Sequence, residues 1–160
     1  MSISPRLSNY LERCGAQYDL CPHAHSRSSA ETARLAHVPE HQLAKSVMLE
    51  DDDGSVVLAV VPADTRVHVG HLARILGRSS LKLSDEAKIK STFDDCEPGA
   101  VPAFGMAWGV ETIVDDELER NAQIYVEVGD HEQLMRMTRA QFCELMSAAR
   151  HGDISKQPVH

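Results

Sequence analysis

Hydrophobic and polar positions recur along the chain in patterns that predict a mixture of helices and strands. Ser4 and Pro5 fit the N-cap and first turn of an amphipathic helix, whose apolar residues repeat at helical spacing. A short strand over residues 17–21 follows. Ser28 and Glu31 then form a capping box that opens an alanine-rich helix. Its small side chains favour close packing against a sheet.

A β-hairpin is predicted in the middle of the chain. Residues 47–49 lead into the acidic turn 51–54, and an apolar run over residues 56–61 returns from it. Because the returning strand is apolar on both faces, we expect it in the centre of a covered sheet. A helix, a brief strand and a helix capped by Ser84 are predicted to follow.

The last third of the chain begins with a long irregular stretch. Residues 93–109 contain three glycines and two prolines without a sustained period, which predicts a loop with one short strand inside it. Loops of this length in compact domains are often functional. Strands over residues 124–128 and 134–137 are expected to pair, and Thr138 is expected to cap a final helix.

The chain of 160 residues is long enough for one core, so residues 1–150 are expected to form a single domain with a flexible tail over 151–160. Its four cysteines form no Cys-x-x-Cys pair, and its nine histidines show no convincing metal-ligand spacing. We therefore expect no metal and no cofactor. No apolar run approaches the roughly 20 residues of a membrane span, which favours a cytoplasmic protein without a membrane partner.

The charge distribution limits the class of partner. A net charge of −8 argues against broad affinity for DNA, and an aromatic content of 4% argues against a stacking platform for single strands. Residues 66–90 are locally basic, with six basic and two acidic residues. Such a run is either a solvated face or part of a site for an anionic ligand.

Two features could carry chemistry. Lys45 is the only Lys or Arg between Arg34 and Arg66, and it is either a surface lysine at a strand end or a point charge aimed at a phosphate or carboxylate. The glycines and prolines of residues 97–105 can fix a turn whose backbone N–H groups hold a carbonyl oxygen or an oxyanion. Similar turns also occur in loops without chemistry. No Walker A loop, G-x-S-x-G or G-x-G-x-x-G motif is present.

In their order, these segments resemble the YbaK family of aminoacyl-tRNA deacylases, the free-standing relatives of the editing domain of bacterial prolyl-tRNA synthetases. The resemblance covers about residues 17–147 and rests on residues 23–36, 44–47, 60–64, 99–105 and 114–116 and on the late strand ending at Gly129. It implies an α+β fold with a mixed, barrel-like β-sheet surrounded by helices.

The resemblance also implies a site. It gives Lys45 the role of binding the phosphate near the 3′ end of tRNA, and it gives the loop the role of cradling the aminoacyl carbonyl. The implied catalytic positions are Gly99, Ala100, Val101 and Ala103, and the implied substrate-binding residues are Lys45, His25, Pro102, Phe104 and Gly105. Where the family has a loop proline this sequence has Ala103, and a proline lies one residue earlier at Pro102.

The function implied is a hydrolase that acts in trans on the ester of a mischarged tRNA, with tRNA(Pro) favoured, and that contacts a synthetase such as prolyl-tRNA synthetase. The neighbouring 2′-hydroxyl of the ribose would assist the attack of water. Two alternatives stay open. Ala103 favours a non-catalytic module of the same fold that binds aminoacyl-tRNA or a synthetase. The net charge of −8 favours a small-ligand-binding protein without a nucleic-acid partner.

Overall fold

A computed structural model describes residues 3–157, in which helices and strands are interspersed along the chain. The α-helices are α1 (Pro5–Arg13), α2 (Ser29–Ala36), α3 (Val69–Leu76), α4 (Glu86–Thr92) and α5 (Arg139–Leu145). The strands are β1 (Asp19–Pro22), β2 (Ala44–Glu50), β3 (Val56–Pro62), β4 (Arg66–Val67), β5 (Lys82–Leu83), β6 (Glu111–Asp115), β7 (Gln123–Glu127), β8 (Gln133–Thr138), β9 (Arg150–Gly152) and β10 (Ser155–Lys156). No helix within the described range is both long and apolar enough to cross a membrane.

The strands form two larger sheets and one small one. The five-stranded sheet has the order β5-β2-β3-β6-β9, and it is mixed because β3 pairs antiparallel with β2 but parallel with β6. The second sheet is antiparallel, with the order β1-β8-β7, and β4 pairs with β10 separately. An isolated bridge between Leu43 and Tyr125 joins the two larger sheets. The predicted α+β fold with a mixed, barrel-like sheet is confirmed.

The apolar pattern of β3 reflects burial on both faces. Leu58 and Val60 contribute to the main core, which also contains residues of the three-stranded sheet, α1 and α5. Val57, Ala59 and Val61 contribute to a second core on the opposite face, which α3 covers. The expectation that this strand is central is therefore confirmed.

Most of the predicted helix caps are present. The hydroxyl groups of Ser4, Ser28 and Thr138 each accept a hydrogen bond from the backbone N–H three residues ahead. The prediction for α4 is wrong by one residue. Its N-cap is Asp85, whose carboxylate accepts the Lys88 N–H at 2.8 Å, and Ser84 is the residue before it.

The stretch over residues 93–109 differs from the prediction in one respect. The expected short strand is absent from it, and its regular part is a 3-10 helix, Gly105–Trp108. The strand β6 begins directly afterwards and pairs with β3 and β9 in the interior of the five-stranded sheet. The sequence pattern did not predict this strand.

The prediction of a flexible tail is wrong for residues 151–157. Ile154 is fully buried, and β9 and β10 both pair with other strands. The buried carboxylate of Asp115 accepts the backbone N–H of Ile154 at 2.9 Å and the hydroxyl of Ser155 at 2.7 Å. These two hydrogen bonds hold the C-terminal segment against β6. Residues 158–160 lie outside the described range.

Candidate active site

A cleft of about 390 Å³ brings together the two features that the sequence singled out. Lys45 enters it from β2, and Gly99 and Val101 enter it from the loop before the 3-10 helix. The cleft floor is apolar, with buried side chains of Met48, Leu58, Phe93 and Val101. Its mouth is more polar and more exposed, with Arg27, Ser28, Ser29 and Lys45.

The loop begins with a tight turn at residues 97–100. The Ala100 N–H donates to the Glu97 carbonyl oxygen at 3.0 Å, Pro98 occupies the second position, and Gly99 has φ +82° at the third. This is the pattern of a type II turn, which requires a positive φ at its third residue. The turn uses the amide of Ala100. Within residues 3–157, the amides of Gly99 and Val101 have no hydrogen-bond acceptor, so both can donate to a ligand.

Hydrogen bonds from two different sheets hold this loop. The Nε2–H of His131, in the turn between β7 and β8, donates to the Pro98 carbonyl oxygen at 2.8 Å. The hydroxyl of Ser46, on β2, donates to the Pro102 carbonyl oxygen at 3.2 Å. Because the C=O and N–H of a trans peptide point in opposite directions, His131 also fixes the direction of the Gly99 N–H.

Gly99 is the position where the loop approaches His131 most closely. A Cβ atom at Gly99 would lie 3.0 Å from the Nε2 atom of His131 and 3.3 Å from its Cε1 atom. Its positive φ also disfavours any residue with a side chain. Both constraints explain why glycine is present here.

Lys45 is a half-buried cation without an acidic partner. Its Nζ donates to the carbonyl oxygen of Thr65 at 2.5 Å, and it forms no ion pair within the described part of the chain. Burial, followed by the positive charge of Arg66, lowers the pKa of Lys45. The carboxylates of Asp64 and Glu40 oppose this shift through their charges, and neither forms an ion pair with Lys45 in the described residues. An anion that enters the cleft could therefore bind Lys45 directly.

Three other residues of the predicted site lie in the core. Ala103, Phe104 and Gly105 do not line the cleft. The Phe104 ring packs between those of Tyr10 and Phe142, with centroid distances of 6.1 and 5.7 Å. A Cβ atom at Gly105 would collide with the hydroxyl of Thr112, so this glycine permits close packing.

The other predicted residues lie in the loop or beside it. Ala100 is fully buried and Pro102 is buried beside Ser46, to which its carbonyl is bonded. His25 is exposed outside the cleft lining, with its ring 6.0 Å from that of His131 in an edge-on arrangement. Residues 3–157 contain no group of three His, Cys, Asp or Glu side chains that could hold a metal ion.

A buried polar cluster that the sequence analysis missed lies beneath the loop. Glu127 is only 2% exposed, and its Oε2 atom is 3.9 Å from the Nδ1 atom of His131. Ser26 belongs to the same cluster, because its hydroxyl bonds to that of Thr32 and to the Nδ1 atom of His131. The sequence pattern predicts the strands on either side of this cluster but not the cluster itself. Its local irregularities are positive φ angles, +106° at Gly129 and +58° at His131, and no sequence pattern indicates the second.

Glu127 is expected to make the stability of the protein depend on pH. Burial raises the pKa of Glu127 from 4.5 to about 8, and neither carboxyl oxygen has a hydrogen-bond partner in residues 3–157. A raised carboxyl pKa means that the folded state holds a proton which the unfolded state has lost. The free energy of unfolding is therefore expected to fall as pH rises from about 4.5 to about 8.

Glu127→Gln removes this titration, so the free energy of unfolding of the variant is expected to fall less as pH rises. Thermal unfolding of both proteins between pH 5 and pH 9 measures the effect, and the variant should gain most at the highest pH. Glu132→Gln, at a more exposed carboxylate in the turn that follows β7, is the control and should leave the profile unchanged. If the stability of wild type and Glu127→Gln changed in parallel with pH, the raised pKa of Glu127 would be contradicted.

The locally basic segment is partly neutralised by ion pairs. Arg78 contacts Glu111 at 3.0 Å and Asp51 at 3.7 Å, and Lys88 contacts Glu50 at 2.9 Å. The segment is therefore not one continuous cationic surface. Arg66, next to Lys45 in space, is the member whose charge bears on the cleft.

Comparison with known proteins decides the family. The family model for the aminoacyl-tRNA editing domain matches residues 23–145, which is most of the chain and includes both Lys45 and the loop. The chain belongs to this family. The resemblance predicted from the sequence is confirmed. Helix α1, strand β1 and the two C-terminal strands β9 and β10 lie outside the matched segment of the editing domain.

Solved structures share the editing-domain fold at low sequence identity. The protein APE2540 matches with a TM-score of 0.83 and 21% identity, over 94% of this chain and 99% of that one. A candidate trans-editing enzyme for prolyl-tRNA synthetase matches with a TM-score of 0.81 and 21% identity, over 97% and 99% of the two chains. No curated protein sequence matches significantly.

Proposed function

We propose that this protein is a trans-acting deacylase that hydrolyses the ester of a mischarged aminoacyl-tRNA, with tRNA(Pro) as its substrate. The observation that carries the proposal is the single cleft shared by Lys45 and the loop amides of Gly99 and Val101. Membership of the editing-domain family supports the reaction class, and the structural likeness to a candidate trans-editing enzyme for prolyl-tRNA synthetase supports the choice of tRNA. Such a substrate implies a cytoplasmic location.

Binding begins with the phosphate near the 3′ end of the tRNA. Lys45 offers a compact ammonium group, and exchange of the Thr65 carbonyl for a phosphate oxygen replaces a neutral acceptor by a charged one. Arg27, at the mouth of the cleft, adds a second positive charge. Anchoring at this point holds the ester within reach of the loop.

The chemistry then needs only water and the substrate's own hydroxyl. Water, assisted by the 2′-hydroxyl, attacks the carbonyl carbon, and the Gly99 and Val101 amides stabilise the negative charge that forms on the carbonyl oxygen. When this tetrahedral intermediate collapses, the bond between the carbonyl carbon and the ribose oxygen breaks, and the ribose oxygen takes up a proton. The products are a free amino acid and an uncharged tRNA.

The cleft floor limits the amino acid that is removed. Met48, Leu58, Phe93 and Val101 present apolar atoms, and none of the described residues that line the cleft is acidic. A charged side chain would lose its hydration here without a partner. We propose that the amino acid is uncharged and small enough for this floor. A synthetase charges its tRNA with such amino acids by mistake, because a hydrophobic pocket prefers the cognate amino acid over a similar one by only about 10- to 200-fold.

The test is a panel of tRNAs, each charged with a cognate or a noncognate amino acid and incubated with the protein. Multiple turnover on a mischarged tRNA supports the deacylase. Saturable binding without turnover would replace it by the non-catalytic module that Ala103 favours. The absence of both would favour the small-ligand-binding alternative.

Binding of tRNA is expected to depend only weakly on salt. The net charge of −8 repels most of the phosphate backbone, so few phosphates are contacted and a synthetase must help to deliver the tRNA. The plot of log affinity against log salt should have a slope of magnitude about one to three. A binding titration across salt concentrations measures it, with tRNA lacking its 3′ end as control. A steeper slope, or equal binding of the control, would contradict the expectation.

A further inference from the structure

A chain of hydrogen bonds runs from helix α2 through the buried cluster beneath the loop and ends beside Gly99, which lines the cleft. Thr32 and Ser26 are both fully buried, and their hydroxyl oxygens lie 2.5 Å apart. The Ser26 hydroxyl is 3.3 Å from the Nδ1 atom of His131, and the Nε2 atom of His131 is 2.8 Å from the Pro98 carbonyl oxygen. We call these four residues the relay.

The acceptor at the end of the relay decides where its hydrogens lie. A carbonyl oxygen can only accept, so His131 carries a hydrogen on Nε2, and in the neutral ring Nδ1 is then an acceptor. Within the described residues, the Ser26 hydroxyl is the only hydrogen-bond partner of Nδ1. The His131 carbonyl oxygen, 3.4 Å from the same hydroxyl, already accepts the Ser26 N–H at 3.2 Å. The Ser26 hydroxyl therefore donates to Nδ1, and the Thr32 hydroxyl donates to Ser26.

Glu127 does not compete for these hydrogens near neutral pH. Its Oε2 atom is 3.9 Å from the Nδ1 atom of His131, which is beyond hydrogen-bond distance. Burial raises the pKa of Glu127 to about 8, and the Thr32 hydroxyl lowers it by less, so the carboxyl group holds its proton. An uncharged carboxyl group leaves the Thr32 hydrogen free to point at Ser26.

We propose that Ser26 and Thr32 are positioning residues for deacylation, because they fix the tautomer of His131 that holds the loop. This inference rests on the proposed function for the reaction that the loop serves. Every hydrogen bond of the relay points from Thr32 toward the loop, and aligned hydrogen bonds strengthen one another. The Gly99 N–H, in the same peptide as the Pro98 carbonyl, becomes a better donor to the oxyanion. Neither hydroxyl lines the cleft, so both act through His131.

The first experiment records the ¹⁵N NMR signals of the His131 ring and of the Gly99 amide in the protein without substrate. The wild type is expected to show the Nε2–H tautomer. Ser26→Ala leaves Nδ1 without a donor, so part of the ring population should move its hydrogen to Nδ1, and the Gly99 amide signal should shift. Ser46→Ala releases the other end of the loop and should leave the ring signals unchanged. A wild-type ring with its hydrogen on Nδ1, or an unchanged ring in Ser26→Ala, would overturn the proposal.

The second experiment measures kcat and KM on a mischarged tRNA after the loss of a buried hydroxyl. Ser26→Ala is expected to lower kcat about threefold to tenfold with little change in KM, because one hydrogen bond that supports the transition state is lost. Thr32→Val keeps the shape of the side chain and should lower kcat by less.

Thr112→Val is the matched control for Thr32→Val. Thr112 is also buried, at 2% exposed, its hydroxyl donates to the Val110 carbonyl oxygen, and it does not line the cleft. The control should lower the thermal midpoint and leave kcat unchanged. Equal effects of Thr32→Val and Thr112→Val on kcat would contradict the relay.

Two substitutions of His131 separate positioning from a merely structural role. The amide nitrogen of Gln can take the place of Nε2 and donate to Pro98, whereas Asn reaches only as far as Nδ1 and can bond only to Ser26. The φ of +58° at His131 suits Asn better than Gln. A structural role therefore predicts more activity for His131→Asn. The relay predicts the higher kcat for His131→Gln despite a lower thermal midpoint, and the reverse order would overturn it.

The two readouts separate this proposal from the proposed function. Hydrolysis by the wild type with an unchanged kcat in Ser26→Ala would support the deacylase and overturn the positioning role. If no tested ester were hydrolysed, while the Nε2–H tautomer was present in the wild type and reduced in Ser26→Ala, the relay would be supported and the deacylase contradicted.

Discussion

Lys45→Ala is expected to lower the rate of deacylation by roughly 100-fold or more when the substrate is well below saturation, as a charged hydrogen bond to phosphate is lost. The fold should persist, because the Nζ group makes a single hydrogen bond, to the Thr65 carbonyl, and Lys45 is only half-buried. Single-turnover hydrolysis of a mischarged tRNA measures the rate, and thermal unfolding checks the fold.

Two further variants sharpen this prediction. Lys45→Arg should restore activity only in part, since a planar guanidinium cannot occupy the place of a compact ammonium. Lys82→Ala removes an exposed lysine of the locally basic segment 66–90 that does not line the cleft, and it should behave like the wild type. Wild-type rates for Lys45→Ala would remove Lys45 from the site.

Gly99→Val is expected to slow deacylation at least about tenfold, because the loop amides lose their alignment with the oxyanion. The new Cβ atom would meet the His131 ring at 3.0 Å, and the residue would have to keep a φ of +82°. The loop must therefore shift away from His131. Initial rates at saturating and subsaturating substrate, compared with the wild type, measure the loss.

Gly15→Val is the matched control for backbone strain. Gly15 has a φ of +61°, but a Cβ atom added there would meet nothing within 4 Å, and the residue lies after α1, away from the cleft. Its substitution should lower the thermal midpoint while leaving the rate unchanged. If Gly99→Val kept full activity, the loop would not line the reacting ester.

Local patterns predicted the elements that depend on neighbouring residues. Ser4, Ser28 and Thr138 cap helices through contacts three residues away, and the hairpin of β2 and β3 closes over a short turn. The strand β6 is different. It has five residues and directly follows a long loop. Its position is fixed by parallel pairing with β3 and β9, which both lie far from it along the chain. No local pattern records such pairing.

The same distinction applies to the site. Lys45 and the glycine loop could be predicted because their order along the chain matches a family. The residues that hold the loop could not, since Ser46 lies 56 residues from Pro102 and His131 lies 33 residues from Pro98. Phe104 belongs to the same motif as Gly99, but its large ring finds space between two aromatic rings in the core.

The hydrogen bonds to Pro98 and Pro102 have a mechanical consequence. One donor lies in the turn of the three-stranded sheet and the other on β2 of the five-stranded sheet. The loop is therefore held by hydrogen bonds from both sheets. A shift of one sheet relative to the other would therefore change the distance between the two bonded positions of the loop, Pro98 and Pro102. The relative position of the Gly99 and Val101 amides therefore depends on how the two sheets pack against each other. If these amides act as proposed, a substitution that repacks the contact between the sheets should lower activity before it unfolds the protein.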